Sequence, residues 1–421
     1  MVGPSTLGVT VDTYPFPNEN DTVFVDPQLP LRGGALLTHS GCGDCSVPVT
    51  SGSGNKDSLT FQIDLKAANV RRFSDNVSFS VHACLARTTG TPSCGDAAAK
   101  ILLPIVLVHG IFEGSSIWDS LSSYMGTADG VDPAVGQEQF AGSGYSESGS
   151  YPTVFRFGYD SLTEANEKSA GELWSAIQND LSRTYAIRVT IVAHSMGGNI
   201  SRYYINQLGG APKVSQLVML GTPLEGATQA GFYKVTFTIC QGLLGGGCAN
   251  LIGAFCSVAF NADTCTTLAT EIAKTGQPPA ALNELLPTYD WYRGCPQSER
   301  CTPFRIQWKN SFLEKLNAAP PARGPLYCNL YGNIASSGTT THLGSQDTVV
   351  TVSASPSFVF EYGLGAGDHW VPVRSSRAAD TPLLGGAIHT RDVGQVKHGN
   401  LMSTPSVMGL VAALALGTTS C

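Results

Sequence analysis

Ser195, Asp347 and His398 stand in the chain order that serine-based acyl chemistry uses when the serine sits on a sharp strand-to-helix turn. A hydroxyl is a poor nucleophile until a base takes its proton, and a carboxylate usually orients that base. Ser195 lies within Val189-Thr-Ile-Val-Ala-His-Ser-Met-Gly-Gly-Asn199. The β-branched run at its start predicts a buried parallel strand, and Ile200, Tyr203 and Tyr204 beyond it have helical spacing. The chain must turn in very few residues between them, and Ala193, Gly197 and Gly198 are small enough to let strand and helix close on that turn. Ser195 then sits at the apex of a nucleophile elbow, with Ala in place of Gly at its first position. The plain alternative is an ordinary strand–turn–helix with a chance serine, and the partners decide between the two.

Four histidines follow Ser195: His342, His369, His389 and His398. His398 is expected to end a strand and to precede the last helix, where a loop returns to the elbow. It is the expected base. His389, nine residues earlier and inside that strand, is the rival, with a hydrogen-bonded sheet residue as its bland role. His342 precedes the expected acid, and His369 in Gly367-Asp-His-Trp370 reads as a loop residue near the mouth of a site. The expected acid is Asp347, which follows the loop after an apolar strand at Leu326–Tyr331 and is anchored by Thr348-Val-Val350. Asp368 and Asp392 are the fallbacks. Attack builds charge on a carbonyl oxygen, so two aimed backbone N–H groups are also needed. Met196, at the helix start after the nucleophile, is expected to supply one. Ile111, in the turn after His109-Gly110, is expected to supply the other. His109 and His194 are expected to be structural, holding the turn and packing beneath the elbow.

The elements that would position these residues alternate. Ile101-Leu-Leu-Pro-Ile-Val-Leu-Val108 is a continuous apolar run, Val154-Phe-Arg-Phe157 another, and Leu162, Ala165, Ser169, Leu173, Ile177 and Leu181 mark one face of a long helix. The elbow strand and helix come next, then Val214–Leu220, and a last helix begins near Thr404 with Pro405 in its first turn. Strands alternating with helices imply a doubly wound, mostly parallel α/β sheet. Residues 1–98 differ: short β-forming runs such as Thr22–Val25, Leu59–Ile63 and Val77–Val81, punctuated by Gly, Asn, Asp and Ser, predict a small β-sandwich-like domain. Residues 99–225 and 325–421 then form the two parts of the α/β core. Between them, 226–324 is an insertion that interrupts the alternation, apolar and Gly-rich at first and Pro-rich later. An insertion of that length between sheet strands is expected to be a lid or cap.

Composition narrows the classes. A formal charge of −7 over 421 residues argues against nucleic acid or an anionic membrane surface as a target, and 14% charged residues point to neutral or apolar substrates. Twelve cysteines lie mostly in close pairs: Cys42/Cys45, Cys84/Cys94, Cys240/Cys248, Cys256/Cys265 and Cys295/Cys301, leaving Cys328 and Cys421. Local disulfides in an oxidising compartment, hence secretion after loss of a signal peptide, account for that clustering. The zinc alternative is weaker, because Cys42-Gly-Asp-Cys45 has no second pair at finger spacing. The apolar region Gly231 to Phe260 is broken by Lys234, Gln241 and a Gly triplet, which argues against a membrane span.

Val108-His-Gly-Ile111, Ala193-His-Ser-Met-Gly-Gly198 and Gly221-Thr-Pro223 together resemble the bacterial α/β-hydrolase lipases with an Ala-x-Ser-x-Gly elbow. Gly158-Tyr-Asp160 and Asp347-Thr-Val-Val350 are similar to segments of the lecithin:cholesterol acyltransferase-like branch. The resemblance covers about residues 101–225 and 326–417. It implies the α/β-hydrolase fold and hydrolysis of neutral lipid esters, in the manner of a triacylglycerol lipase or carboxylesterase. Ser195, Asp347, His398, Ile111 and Met196 then take the roles above. It implies no cofactor; a structural calcium ion, seen in some lipases, leaves no readable mark in this sequence. The expected partner is a lipid or apolar ester at a lipid–water interface, with no nucleic acid and no stable protein partner. Two rivals stand beside this expectation. An acyltransferase or polyester depolymerase would use the same triad, whereas a surface- or carbohydrate-binding protein would carry a vestigial hydrolase unit.

Overall fold

The computed structural model describes residues 6–13, 22–30, 36–37, 46–48, 57–64, 68, 72–87, 91–125, 137–142, 145–146, 149–150, 153–228, 230–231, 233–234, 237–238, 262–288, 291–293, 304–306, 308–333, 349–355, 358–363, 368, 370–379 and 381–421. The chain divides into two compact units. One comprises Met1–Pro104, Gly144–Pro152 and Asn179–Arg188; the other comprises Ile105–Ser143, Thr153–Gln178 and Val189–Cys421.

The first unit is built on antiparallel strands. Ser46–Pro48, Thr22–Asp26, Val77–Ala86 and Ser93–Ile101 form one sheet in that order, and Thr6–Thr13 pairs with Asp57–Asp64 in another. Alternation in Thr22–Asp26 buries Val23 and Val25 on one face, as a strand with one buried side requires. Cys84 and Cys94 lie opposite each other in the register of neighbouring strands and are joined by a disulfide.

The second unit holds the site. Its seven-stranded sheet runs Gln137–Gly142, Val154–Gly158, Ile105–Val108, Val189–His194, Val214–Leu220, Leu326–Tyr331 and His389–Asp392. Only the first pair is antiparallel. The alternation of strands and helices therefore closes into the expected α/β-hydrolase sheet. Ile105–Val108 and Val189–His194 are buried at every position, the pattern of parallel strands covered on both faces. The helix Pro405–Ala415 starts at Thr404 with proline in its first turn, and its Val407, Val411 and Leu414 join Leu107, Val192, Val218 and Leu330 in the core. A disulfide from Cys328 to Cys421 ties that C-terminal region to the strand Leu326–Tyr331. The other cysteine pairings expected from the sequence lie outside the described residues.

Two expected strands are placed differently. The last sheet strand, His389–Asp392, holds His389 as expected but ends before His398, which opens a short 3-10 turn, His398–Asn400. Val349–Ser355 does not extend the core sheet; it pairs antiparallel with Phe358–Gly363 as a separate hairpin. Within the 226–324 insertion, the described later part is stitched to the core. Thr288 N donates to Glu225 O at 2.9 Å, and the Asn317 amide to Leu224 O at 2.8 Å. Leu251 and Phe255, in its apolar early part, lie outside the described residues.

Candidate active site

Ser195 takes φ 52° and ψ −124° between the strand Val189–His194 and the helix Met196–Gln207. For a non-glycine residue this is strained backbone, costing on the order of 1–3 kcal/mol, and it persists only where the surroundings over-determine it. They do so here. The Ser195 N–H donates to Leu220 O at 2.8 Å, and Gly197 and Gly198 pass so close to neighbouring elements that no side chain fits. A Cβ on Gly197 would lie 2.7 Å from Val108 O, and one on Gly198 would lie 2.7 Å from Thr222 Cγ2. The expected elbow is therefore present, with its glycines where the packing demands them.

The residue after Leu220 leads to the second part of the site. Gly221 has φ 61°, and a Cβ there would fall 2.9 Å from both Asp368 Oδ2 and His398 Nδ1. Those two atoms are themselves 2.7 Å apart. Asp368 is fully buried and His398 is 7% exposed, so this is a histidine–carboxylate pair sheltered from water. The pair is braced by backbone: His398 N–H donates to Asp368 O at 2.9 Å, and Trp370 and Val371 N–H donate to Asp368 Oδ1 at 3.1 and 2.9 Å. Burial opposes charge on the imidazole, but the Asp368 carboxylate, by its charge and its hydrogen bond, and then the charge of Glu113, raise the His398 pKa above its ordinary value. Asp368 fixes a proton on Nδ1 and leaves Nε2 as the basic nitrogen, the tautomer that general-base chemistry needs.

Among the described residues the acid beside the base is Asp368. Asp347, expected from the sequence, lies outside the described residues, and the carboxylate seated on His398 is Asp368, the first fallback. Val349 and Val350 belong to the separate hairpin, and the carboxylate on His398 comes from the chain after it. Asp392, the second fallback, is exposed and accepts from the Asn333 amide and from Gly394 N–H, which makes it a turn-closing residue. His389 is exposed in the edge strand. His342 and His369 lie outside the described residues.

Met196 is fully buried at the first position of the elbow helix, where a backbone N–H has no acceptor within its own helix. Ile111 is buried in the turn after Ile105–Val108, and Gly110 before it comes so near that a Cβ there would lie 2.8 Å from Ser195 Cβ. Both expected donors therefore belong to segments that border Ser195. Sequence reasoning passed over Glu113, whose carboxylate reaches His194 and Gly110, and Trp370, whose ring lies 6.0 Å from His398. The signal for each was local: an acid three residues after Gly110, and an aromatic two residues after a buried aspartate.

Residues 102–357, more than half of the chain, match the sequence model of the family described as Lipase (class 2). The chain belongs to the class 2 lipases. This class 2 lipase is an ester hydrolase. Its structure is also similar to that of the mature lipase BlEst2 of Bacillus licheniformis, at 14% identity over 75% of this chain and 92% of that one, with a TM-score of 0.43. Lipase 1 from Pelosinus fermentans is similar at 13% identity, over 76% and 99%, with a TM-score of 0.41. Naproxen esterase (carboxylesterase NP) from Bacillus subtilis is similar at 10% identity, over 81% and 89%, with a TM-score of 0.36. Among the described residues no helix is long and apolar enough to cross a membrane.

Proposed function

We propose that this class 2 lipase cleaves apolar carboxylic esters through an acyl-enzyme on Ser195. His398 Nε2 takes the hydroxyl proton as Ser195 Oγ attacks the ester carbon, and Asp368 holds the resulting imidazolium. The N–H groups of Met196 and Ile111 receive the charge that develops on the carbonyl oxygen. The alcohol leaves with the proton from His398. Water, activated by the same histidine, then attacks the acyl group and releases the acid. Every step draws on protein groups and water alone.

The buried His398–Asp368 pair beside the strained Ser195 elbow carries this proposal. An apolar substrate is supported by the rings around the base: Trp370 lies 6.0 Å from His398, with Phe112 at 6.4 Å and Tyr233 at 6.5 Å from Trp370. The apolar sequence of residues 231–260 supports work at a lipid–water interface. The disulfides Cys84–Cys94 and Cys328–Cys421 support an extracellular enzyme.

A series of p-nitrophenyl esters of increasing chain length, beside an emulsified triglyceride, tests the proposal. Turnover should rise with acyl length and fall by on the order of 10⁴–10⁶ in Ser195→Ala with folding intact. Full activity in that variant, or a preference for charged polar esters, contradicts it.

A further inference from the structure

The Cys84–Cys94 disulfide has a histidine and a carboxylate gathered around it. Val77–Ala86 and Ser93–Ile101 run antiparallel, with Cys84 opposite Cys94 and His82 opposite Asp96. Alternate residues of a strand share a face, so these two facing pairs lie side by side on one face of the sheet. His82 Nδ1 lies 2.7 Å from Asp96 Oδ1, and His82 Nε2 lies 3.1 Å from Cys84 Sγ. The carboxylate thus holds the ring with its second nitrogen turned to the sulfur. Among the described residues, His82, Cys84 and Cys94 are the one group of three His, Cys, Asp or Glu side chains with ligand atoms all within 4.8 Å of one another.

We infer that opening this disulfide creates a zinc site, with the sulfurs of Cys84 and Cys94 and Nε2 of His82 as ligands. A dithiol breaks the S–S bond, is itself oxidised to a disulfide, and leaves a thiol on each cysteine. Zinc then displaces the two thiol protons and binds two thiolates and one imidazole, a donor set that suits this ion. Ligands of one tetrahedral zinc ion stand about 3.5–3.8 Å apart, so the gathered atoms reach that geometry by small side-chain shifts. Cys84 is buried and His82 half-buried, whereas Cys94 and Asp96 are exposed, so reductant and ion both approach from solvent.

Two carboxylates complete the surroundings. A metal-binding histidine donates its other ring N–H to an acceptor, which fixes the ring and strengthens the ligand, and Asp96 Oδ1 is placed to be that acceptor. Asp26 stands opposite His82 on its other side, in the strand Thr22–Asp26. Val23 and Val25 are buried on the far face of that strand, which leaves Phe24 and Asp26 on the face of Cys84 and His82. Oδ1 of Asp26 is buried with no hydrogen-bond partner, and a cation satisfies such an oxygen, so Asp26 is the candidate fourth ligand. The disulfide and the ion tie the same two strands, the first under oxidising and the second under reducing conditions. Among the described residues no such group surrounds the Cys328–Cys421 disulfide, which makes that pair an internal control.

The test uses the full chain, reduced with a dithiol, freed of it without air and titrated with zinc. The alkylation rate of each cysteine is then read by peptide mass mapping. Zinc should slow alkylation of Cys84 and Cys94 by roughly tenfold or more, because a metal-bound thiolate is withheld from the reagent, and should leave Cys328 and Cys421 unslowed. His82→Ala should raise the zinc concentration for half-protection roughly 100-fold, and Asp96→Asn roughly 10-fold. Rates at Cys84 and Cys94 that zinc does not change overturn the inference. Protection that His82→Ala leaves intact also overturns it, because two thiols alone then hold the ion. So does slowing shared equally by Cys328 and Cys421, which marks binding by any exposed thiol.

Discussion

Asp368 Oδ2 and His398 Nδ1 sit 2.7 Å apart directly over the α-carbon of Gly221, so the pairing of acid and base depends on the absence of a side chain at the end of a core strand. Gly221 also donates its N–H to Leu330 O at 2.7 Å, which holds the strand end in place beneath them. Gly221→Ala should therefore separate the pair and cut kcat by on the order of 10²-fold, the usual cost of an ångström-scale misplacement. Steady-state kinetics beside circular dichroism checks this. Wild-type kcat in the alanine variant would mean that the pair tolerates displacement.

Asp368→Asn should lower kcat by on the order of 10⁴, because the amide no longer holds the productive tautomer of His398. Asp347→Asn should leave kcat within about twofold, a size typical of a residue outside the machinery. Assay of the two variants side by side decides between the acids.

How much of this was legible in the sequence depends on how far apart in the chain the partners lie. The elbow was legible because strand, turn and helix are consecutive, and Ala193, Gly197 and Gly198 record the close packing in their own types. His398 was legible from chain order, although the strand expected to end at it stops at Asp392; His389–Asp392 pairs with Leu326–Tyr331 and the base follows in a loop. The acid was not legible. Residues 332–372 offer no period that says which aspartate returns to the base, and Val349-Val-Thr-Val352 reads equally well as a core strand or as a hairpin. Only tertiary contact chose Asp368. Glu113 was missed for the same reason, since its partner His194 is 81 residues away in sequence.

The acid limb of kcat/KM should lie above 6.5, the ordinary imidazole value, because His398 works unprotonated and its pKa is raised. Asp368→Asn should move what activity remains toward lower pH. The stability term runs the other way. A raised folded pKa gives stability that is fully present below the unfolded pKa, about 6.5, and is lost as pH rises through the folded value. Thermal melts across that window should show this contribution fading as activity appears, and Asp368→Asn should flatten it. An acid limb below 6.5 would contradict the pairing.

Cys328 and Cys421 close a loop of 93 residues that contains Asp368 and His398. Replacing both with serine should cost about 2–4 kcal/mol of stability, through the larger conformational freedom of the unfolded chain. Chemical denaturation with and without reductant measures it, and an unchanged midpoint would contradict a stabilising role for this link.

The most direct test of the central claim is to label the nucleophile covalently. A lipophilic p-nitrophenyl phosphonate should add one phosphonyl group per chain at Ser195, seen by intact mass and assigned by peptide mapping. Labelling should vanish in Ser195→Ala and slow sharply in His398→Ala and Asp368→Asn. Stoichiometric labelling at another residue, or undiminished labelling without Ser195, would contradict the account.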